Sequence, residues 1–219
     1  MQRFFDIFFS LLALLVLSPL LVPIILILRV TGEGEIFYIQ KRSGKEGKHF
    51  GLCKFATMLK DSPNIGAGEI TLKSDPRVLK VGKYLRKTKL NELPQLINIL
   101  FGEMSIVGPR PMIPNTYLKY PYEAQKKINT VRPGLTGIGS IIFRDEEAFL
   151  DKKDEPRKFY DEVIIPYKSN LEIWYVENQT FALYLKIIFI TACAVIFPSY
   201  RSFDIFFKDL PKPPDDLKR

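Results

Sequence analysis

The sequence predicts a membrane-associated α+β protein: an apolar N-terminal helix broken at Ser18-Pro19, followed by a small cytoplasmic domain with a short β-hairpin and several amphipathic helices. Three observations predict it. Ile7 to Leu28 is 22 residues without a charge. Two strand-like runs flank a glycine-rich basic turn, and from Arg77 onward apolar residues recur at helical spacing with lysines on another face. At 219 residues the chain suits one domain with appendages, here divided as 1–30, 31–180 and 181–219.

Composition narrows the function. With 47% hydrophobic residues and a net charge of +8, the chain is neither a disordered tail nor a disulfide miniprotein. Its single histidine, His49, excludes a multi-histidine metal centre. Cys53 and Cys193 have no second cysteine or histidine pair near them, which argues against structural zinc and a disulfide framework and fits a reducing, cytoplasmic setting.

The first apolar run meets the roughly 20 residues that a spanning helix needs. It continues through large aliphatics to Arg29, unlike a signal peptide. Arg29, Lys41, Arg42, Lys45 and Lys48 follow it and only Arg3 precedes it, so the bulk of the chain is expected on the cytoplasmic side. Pro19 and Pro23 each remove a backbone donor and should kink the helix. The Ser18 hydroxyl is placed to satisfy a carbonyl freed by Pro19. A kinked span and a helix that returns to the same leaflet fit these residues equally.

Glu35–Gln40 and Phe50–Thr57 read as strands around Ser43–Lys48, and Pro63–Gly68 as a loop. Between Pro76 and Leu90 stand six basic residues, Arg77, Lys80, Lys83, Arg86, Lys87 and Lys89, and no acid. Such a helix suits anionic lipid or a polyphosphate, or is a solvated face. The absence of a nucleic-acid motif argues against nucleic acid. Asn91 is a candidate helix cap with Glu92 and Pro94 in the first turn. Arg110 sits in a Gly-Pro-Arg-Pro turn, and Arg132-Pro133-Gly134 repeats the device; an ordered guanidinium suits bidentate phosphate contact. Asp145–Glu162 reads as a solvated helix. Phe181–Phe197 is 17 residues, short for a span, and reads as an interfacial or core helix, with Phe206, Phe207, Arg201 and Lys208 at a headgroup boundary beyond it. Gly44–His49 lacks P-loop spacing, and no G-x-S-x-G elbow occurs.

Taken together, these residues resemble the bacterial sugar transferase family, the monotopic phosphoglycosyl transferases acting on polyprenyl phosphate. The resemblance rests on the Ser-Pro-broken helix, Phe37-Tyr38 to Gly44, Lys54-Phe55, Thr57-Met58, Asp75-Pro76-Arg77, Glu92-Leu93-Pro94-Gln95-Leu96, Met104-Ser105, Gly108-Pro109-Arg110-Pro111 and Arg132-Pro133-Gly134. It implies a re-entrant membrane helix over 1–30, turned at Ser18 and Pro19, and an enzyme on the cytoplasmic face of the bacterial inner membrane. The implied reaction transfers a sugar 1-phosphate from a UDP-sugar to undecaprenyl phosphate with Mg²⁺, releasing UMP, as a first step of surface glycan synthesis.

The family is similar in using an Asp-Glu pair at this helix start, the Asp attacking the β-phosphate; here Glu92 is the candidate nucleophile or Mg²⁺ ligand and Asn91 the cap and oxygen donor. Lys54, Arg77, Arg86, Arg110, Arg132 and Arg144 are the phosphate-binding set, and anionic lipid of the inner leaflet is a further partner. The family has Asp where this chain has Asn91, Arg at Ala56 and Asp at Glu103. An amide is a very poor nucleophile, so a non-catalytic relative that binds nucleotide sugar or a partner transferase is the alternative. A homodimer is a further partner to expect.

Overall fold

The computed structural model describes residues 1–65, 75–144, 146–151, 153–197 and 203–217. Within the loop expected over Pro63–Gly68, positions from Gly66 onward lie outside the described residues, as does Arg201. The chain groups into two compact units, Met1–Gln40 with Gly51–Gly102, and Lys41–Phe50 with Glu103–Arg219.

In the first unit, α1 (Gln2–Val30) is long and apolar enough to cross a membrane, with a mean hydropathy of 3.0 over its most apolar window. Only 11% of that window is buried, which separates it from a core helix. Ser18 sits on the turn before Pro19, and its hydroxyl donates to the Leu15 carbonyl at 2.8 Å. Leu15 is the residue four before Pro19, the carbonyl that proline frees. The ends of α1 are anchored differently from its middle. Arg3 donates to the carbonyls of Ile99 and Leu100, Asp6 and Ser10 are buried, and Ile24 and Leu28 pack with Phe55 and Leu85. Leu11, Leu12, Leu15, Val16, Leu20 and Val22 are exposed.

The hairpin is β1 (Phe37–Ser43) and β2 (His49–Phe55), shifted slightly from the predicted runs. Glu46 takes a left-handed φ of 58° at its tip. The predicted basic helix is shorter than expected, α2 being Lys80–Lys87 with Leu79 before it. Its buried face is Gly82 and Leu85. A Cβ on Gly82 would lie 2.2 Å from the Thr57 carbonyl oxygen, so glycine lets the helix backbone touch the end of the hairpin. The expected helix start at Asn91 is corrected: Leu90–Glu92 is a 3₁₀ turn, entered through Lys89 at φ 61°, and α3 (Gln95–Phe101) begins after Pro94. The reason is Pro94, which has the fixed φ of a first-turn residue and no donor of its own.

The second unit is built on β3 (Ser105–Val107) and β4 (Gly134–Thr136), paired in parallel with Ser105 opposite Gly134 and Val107 opposite Thr136. Between them run α4 (Pro114–Tyr117) and α5 (Tyr122–Ile128), and after β4 comes α6 (Ile138–Ile142). The solvated helix expected over Asp145–Glu162 is broken into α7 (Glu146–Leu150) and α8 (Pro156–Phe159), the latter passing through a π-helical turn into α9 (Ile165–Glu177). Pro156 opens the second piece at the first position, where it costs no hydrogen bond.

The last long helix, α10 (Phe181–Ile196), is capped by Thr180, whose hydroxyl accepts from Leu183 N–H. It buries Tyr184, Ile187, Ile190 and Ala194 while Phe189 and Ile196 remain exposed. One face is therefore packed as a core helix would be, and the other carries exposed apolar side chains.

Candidate functional site

The amide of Asn98 fixes the geometry of the first unit. Its Oδ1 accepts from Cys53 N–H at 3.0 Å and its Nδ2 donates to the Gly51 carbonyl at 2.8 Å, so α3 serves β2 as a neighbouring strand would. This holds the next residue, Lys54, toward the turn before α3. Lys54 Nζ lies 3.9 Å from Glu92 Oε1, with the two side chains 16% and 14% exposed. A pair this sheltered is screened less than a surface one.

Asn91 is itself buried, makes no capping hydrogen bond, and leaves its Oδ1 without a hydrogen-bond partner. An orphaned buried oxygen costs about 1–3 kcal/mol, and it stands one residue from the Glu92 carboxylate. Gln95 and Asn98 are also buried, and Gln95 Nε2 likewise has no partner. With Asn91 they are three buried amides spaced four and then three residues apart in the sequence. That spacing was legible in the sequence and was missed, because the apolar residues around it dominate the pattern.

Arg77, expected to contact diphosphate, is committed inside the protein. It is 3% exposed, its Nη2 is 2.6 Å from Asp75 Oδ2, its Nε donates to Oδ1 at 2.9 Å, and Nη1 donates to the Ser62 and Ile65 carbonyls. Its hydrogen bonds to the Asp75 carboxylate hold the guanidinium's pKa above its ordinary value. This geometry braces the chain that leads into α2. Arg86 on α2 is half-buried, with Nη1 3.8 Å from Met58 Sδ.

In the second unit the two predicted arginine turns are brought together. Gly134 N–H donates to the Pro109 carbonyl at 2.8 Å, and Gly108 N–H to the Thr136 carbonyl at 2.9 Å. A Cβ on Gly108 would lie 2.5 Å from the Arg132 carbonyl oxygen, so glycine is required for the turns to stack. Arg132 is exposed, and Arg110 and Arg144 are half-buried. The hairpin tip joins the same assembly: Arg42 Nη1 donates to the Pro111 carbonyl at 3.2 Å and Ser43 N–H to that of Met112 at 2.9 Å.

Sequence reasoning also missed Glu172. It is 2% exposed on α9, and its Oε1 accepts from Arg110 N–H at 3.4 Å. Burial pushes its pKa up to about 7, against the opposing effects of the Arg110 N–H and the charges of Lys168 and Arg110. Nothing local in the sequence marks it.

Among the described residues, no group of three or more His, Cys, Asp or Glu side chains is placed to hold a metal ion. Magnesium needs fewer protein ligands, because it keeps waters and is commonly bound by one or two carboxylates with substrate phosphates. The Glu92 carboxylate with the unpartnered Asn91 oxygen fits such a hard cation.

An apolar helix long enough to cross a membrane and held near both ends, an acid–lysine pair beside an amide, and stacked arginine turns characterise the chain. The chain belongs to the bacterial sugar transferase family, whose model matches residues 1–198. It is 34% identical over 201 residues to an undecaprenyl-phosphate glucose phosphotransferase of Komagataeibacter xylinus, covering 90% of this chain and 36% of that protein. It is 38% identical to the exopolysaccharide production protein ExoY of Sinorhizobium fredii, covering 69% of this chain and 73% of the relative. With the sugar transferase EpsL of Bacillus subtilis it shares 34% identity over 90% of this chain and 87% of the relative. The chain thus spans about a third of the first relative and most of the other two.

Proposed function

We propose that the protein transfers a sugar 1-phosphate from a UDP-sugar to undecaprenyl phosphate at the cytoplasmic face of a bacterial inner membrane, releasing UMP, as a first membrane step of surface glycan synthesis. The observation that carries this reading is the sheltered Glu92–Lys54 pair beside the orphaned Asn91 oxygen, in a chain of the bacterial sugar transferase family.

An oxygen of the lipid phosphate attacks the β-phosphorus of the UDP-sugar, and the bond from that phosphorus to the bridging oxygen breaks. UMP leaves with that oxygen and the electron pair. Direct attack is favoured because an amide at position 91 cannot serve as the nucleophile, while the Glu92 side chain is engaged by Lys54. Glu92 and Asn91 would hold Mg²⁺ through their oxygens, which supplies positive charge for the phosphates. Arg110 and Arg132, stacked by their backbones, contact the diphosphate. Phosphoryl transfer depends mostly on positioning and charge stabilisation, so it needs no covalent intermediate.

A re-entrant α1 is supported by its anchoring: Arg3 and Leu28 both hold to the same unit while the stretch between them is exposed and apolar. Exposed Lys80, Lys83 and Lys87 on α2, near exposed Tyr84 in the chain, suit the anionic inner leaflet.

The test is UMP release in membranes, from a panel of UDP-sugars, with and without undecaprenyl phosphate and Mg²⁺. Release requiring both supports transfer. Nucleotide binding without release would favour the non-catalytic relative that Asn91 suggests.

A further inference from the structure

Behind the turn that carries Arg110 lies a cavity of about 20 Å³, room for one water molecule. Three polar atoms that have no hydrogen-bond partner belong to residues lining it: Ser43 Oγ, Tyr120 OH and Glu172 Oε2. Their residues are 7%, 3% and 2% exposed. Native proteins rarely leave such atoms unpaired, and these three belong to the walls of one cavity with room for a water.

The other carboxylate oxygen of Glu172 takes the N–H of Arg110. Pro109 and Pro111 have no N–H, so this is the one backbone donor of the Pro-Arg-Pro segment, and the buried acid accepts it. Space for the acid is made by Gly139, where a Cβ would lie 2.4 Å from Oε1. A carboxyl placed only for packing would be costly here.

We propose that Glu172 is a positioning residue for Arg110: one carboxylate oxygen holds the Pro-Arg-Pro segment by its only amide, and the side chain lines a water-sized cavity with Ser43 and Tyr120. The inference rests on reading Arg110 as a diphosphate contact. The groups facing the carboxyl are Arg110 from the turn, Tyr120 from the segment before α5 and Lys168 from its own helix, with Lys168 paired to Glu146 of α7. Burial raises the carboxyl to about 7, so its strength as an acceptor changes within the physiological range.

The experiment is amide hydrogen exchange of the full chain in nanodiscs, across pH, read on the segment containing Arg110. In the wild type, protection of that amide, corrected for intrinsic rate, should rise as pH passes about 7. In Glu172→Gln it should be lower and without the step, and the KM for UDP-sugar should rise roughly tenfold, the scale of one lost hydrogen bond to a charge, with kcat changed far less. A wild-type profile without a step, or an unchanged KM in Glu172→Gln, overturns the proposal. If Glu172→Gln does not fold, Tyr120→Phe decides: an upward-shifted midpoint supports the shared cavity and an unchanged one rejects it. If no UDP-sugar is turned over, the transfer reading fails, while exchange at Arg110 still judges the role of Glu172.

Discussion

At the scale of single residues, charge placement makes the sharpest predictions. Glu92→Gln should lower UMP release by at least about a hundredfold, since it removes the anion that the site is built around; near-normal release would sink its assignment. Asn91→Asp restores an anionic oxygen at the orphaned position. Lipid-independent exchange of labelled UMP, absent in the wild type, should then appear. Exchange already present in the wild type would reject direct attack. Asp75 serves stability instead: Asp75→Ala leaves Arg77 buried without its anion, and denaturant unfolding should show a loss of about 3–5 kcal/mol. Glu172 gives stability an opposite pH sign from a paired acid. Its pKa is raised from 4.5 to about 7, so the folded state keeps the proton that the unfolded state gives up. The contribution is complete below pH 4.5 and is lost as pH rises through about 7. Denaturation midpoints should fall over that interval in the wild type and less in Glu172→Gln.

At the scale of elements, docking depends on backbone approaches that side chains would block. Gly82 lets α2 meet the Thr57 carbonyl, and Gly82→Val should cost several kcal/mol by forcing the helix away, at the upper end of the about 1–3 kcal/mol typical of overpacking. Thermal unfolding at wild-type-like Tm would contradict that contact. The same elements explain what the sequence could tell. The apolar run of α1, the hairpin around a glycine-rich turn and the arginine turns announce themselves through local rules of period and turn chemistry. The 3₁₀ turn at Leu90–Glu92 and the burial of Arg77 were not legible that way. Arg77 depends on partners distant from the local pattern, the Ser62 and Ile65 carbonyls, whereas the turn follows from Pro94, whose effect on the helix start was masked by the capping pattern before it. Glu172 is the extreme case, 62 positions from the amide it accepts.

At the scale of the molecule, the question is on which side of the bilayer the two ends of α1 lie. As a straight helix its 29 residues would extend about 43 Å at 1.5 Å each, more than enough for a hydrocarbon core of about 30 Å. Yet Arg3 caps carbonyls at the end of α3 and Leu28 packs with Phe55 and Leu85, all in one compact unit. A span would require one of these anchors to be broken and Arg3 and Asp6 to cross the membrane, each charge costing about 2.5–3.5 kcal/mol at the bilayer centre even on the lenient insertion scale. The proposed return at Ser18-Pro19 would keep both anchors and place the exposed apolar stretch in lipid, with the Ser18 hydroxyl bonded to the Leu15 carbonyl. Single cysteines at Gln2 and Lys87, in a background with Cys53 and Cys193 replaced, test this with an impermeant maleimide. Both sites should be protected in intact spheroplasts and labelled in inverted vesicles. Labelling of Gln2→Cys from outside the cell would establish a span and remove the re-entrant reading.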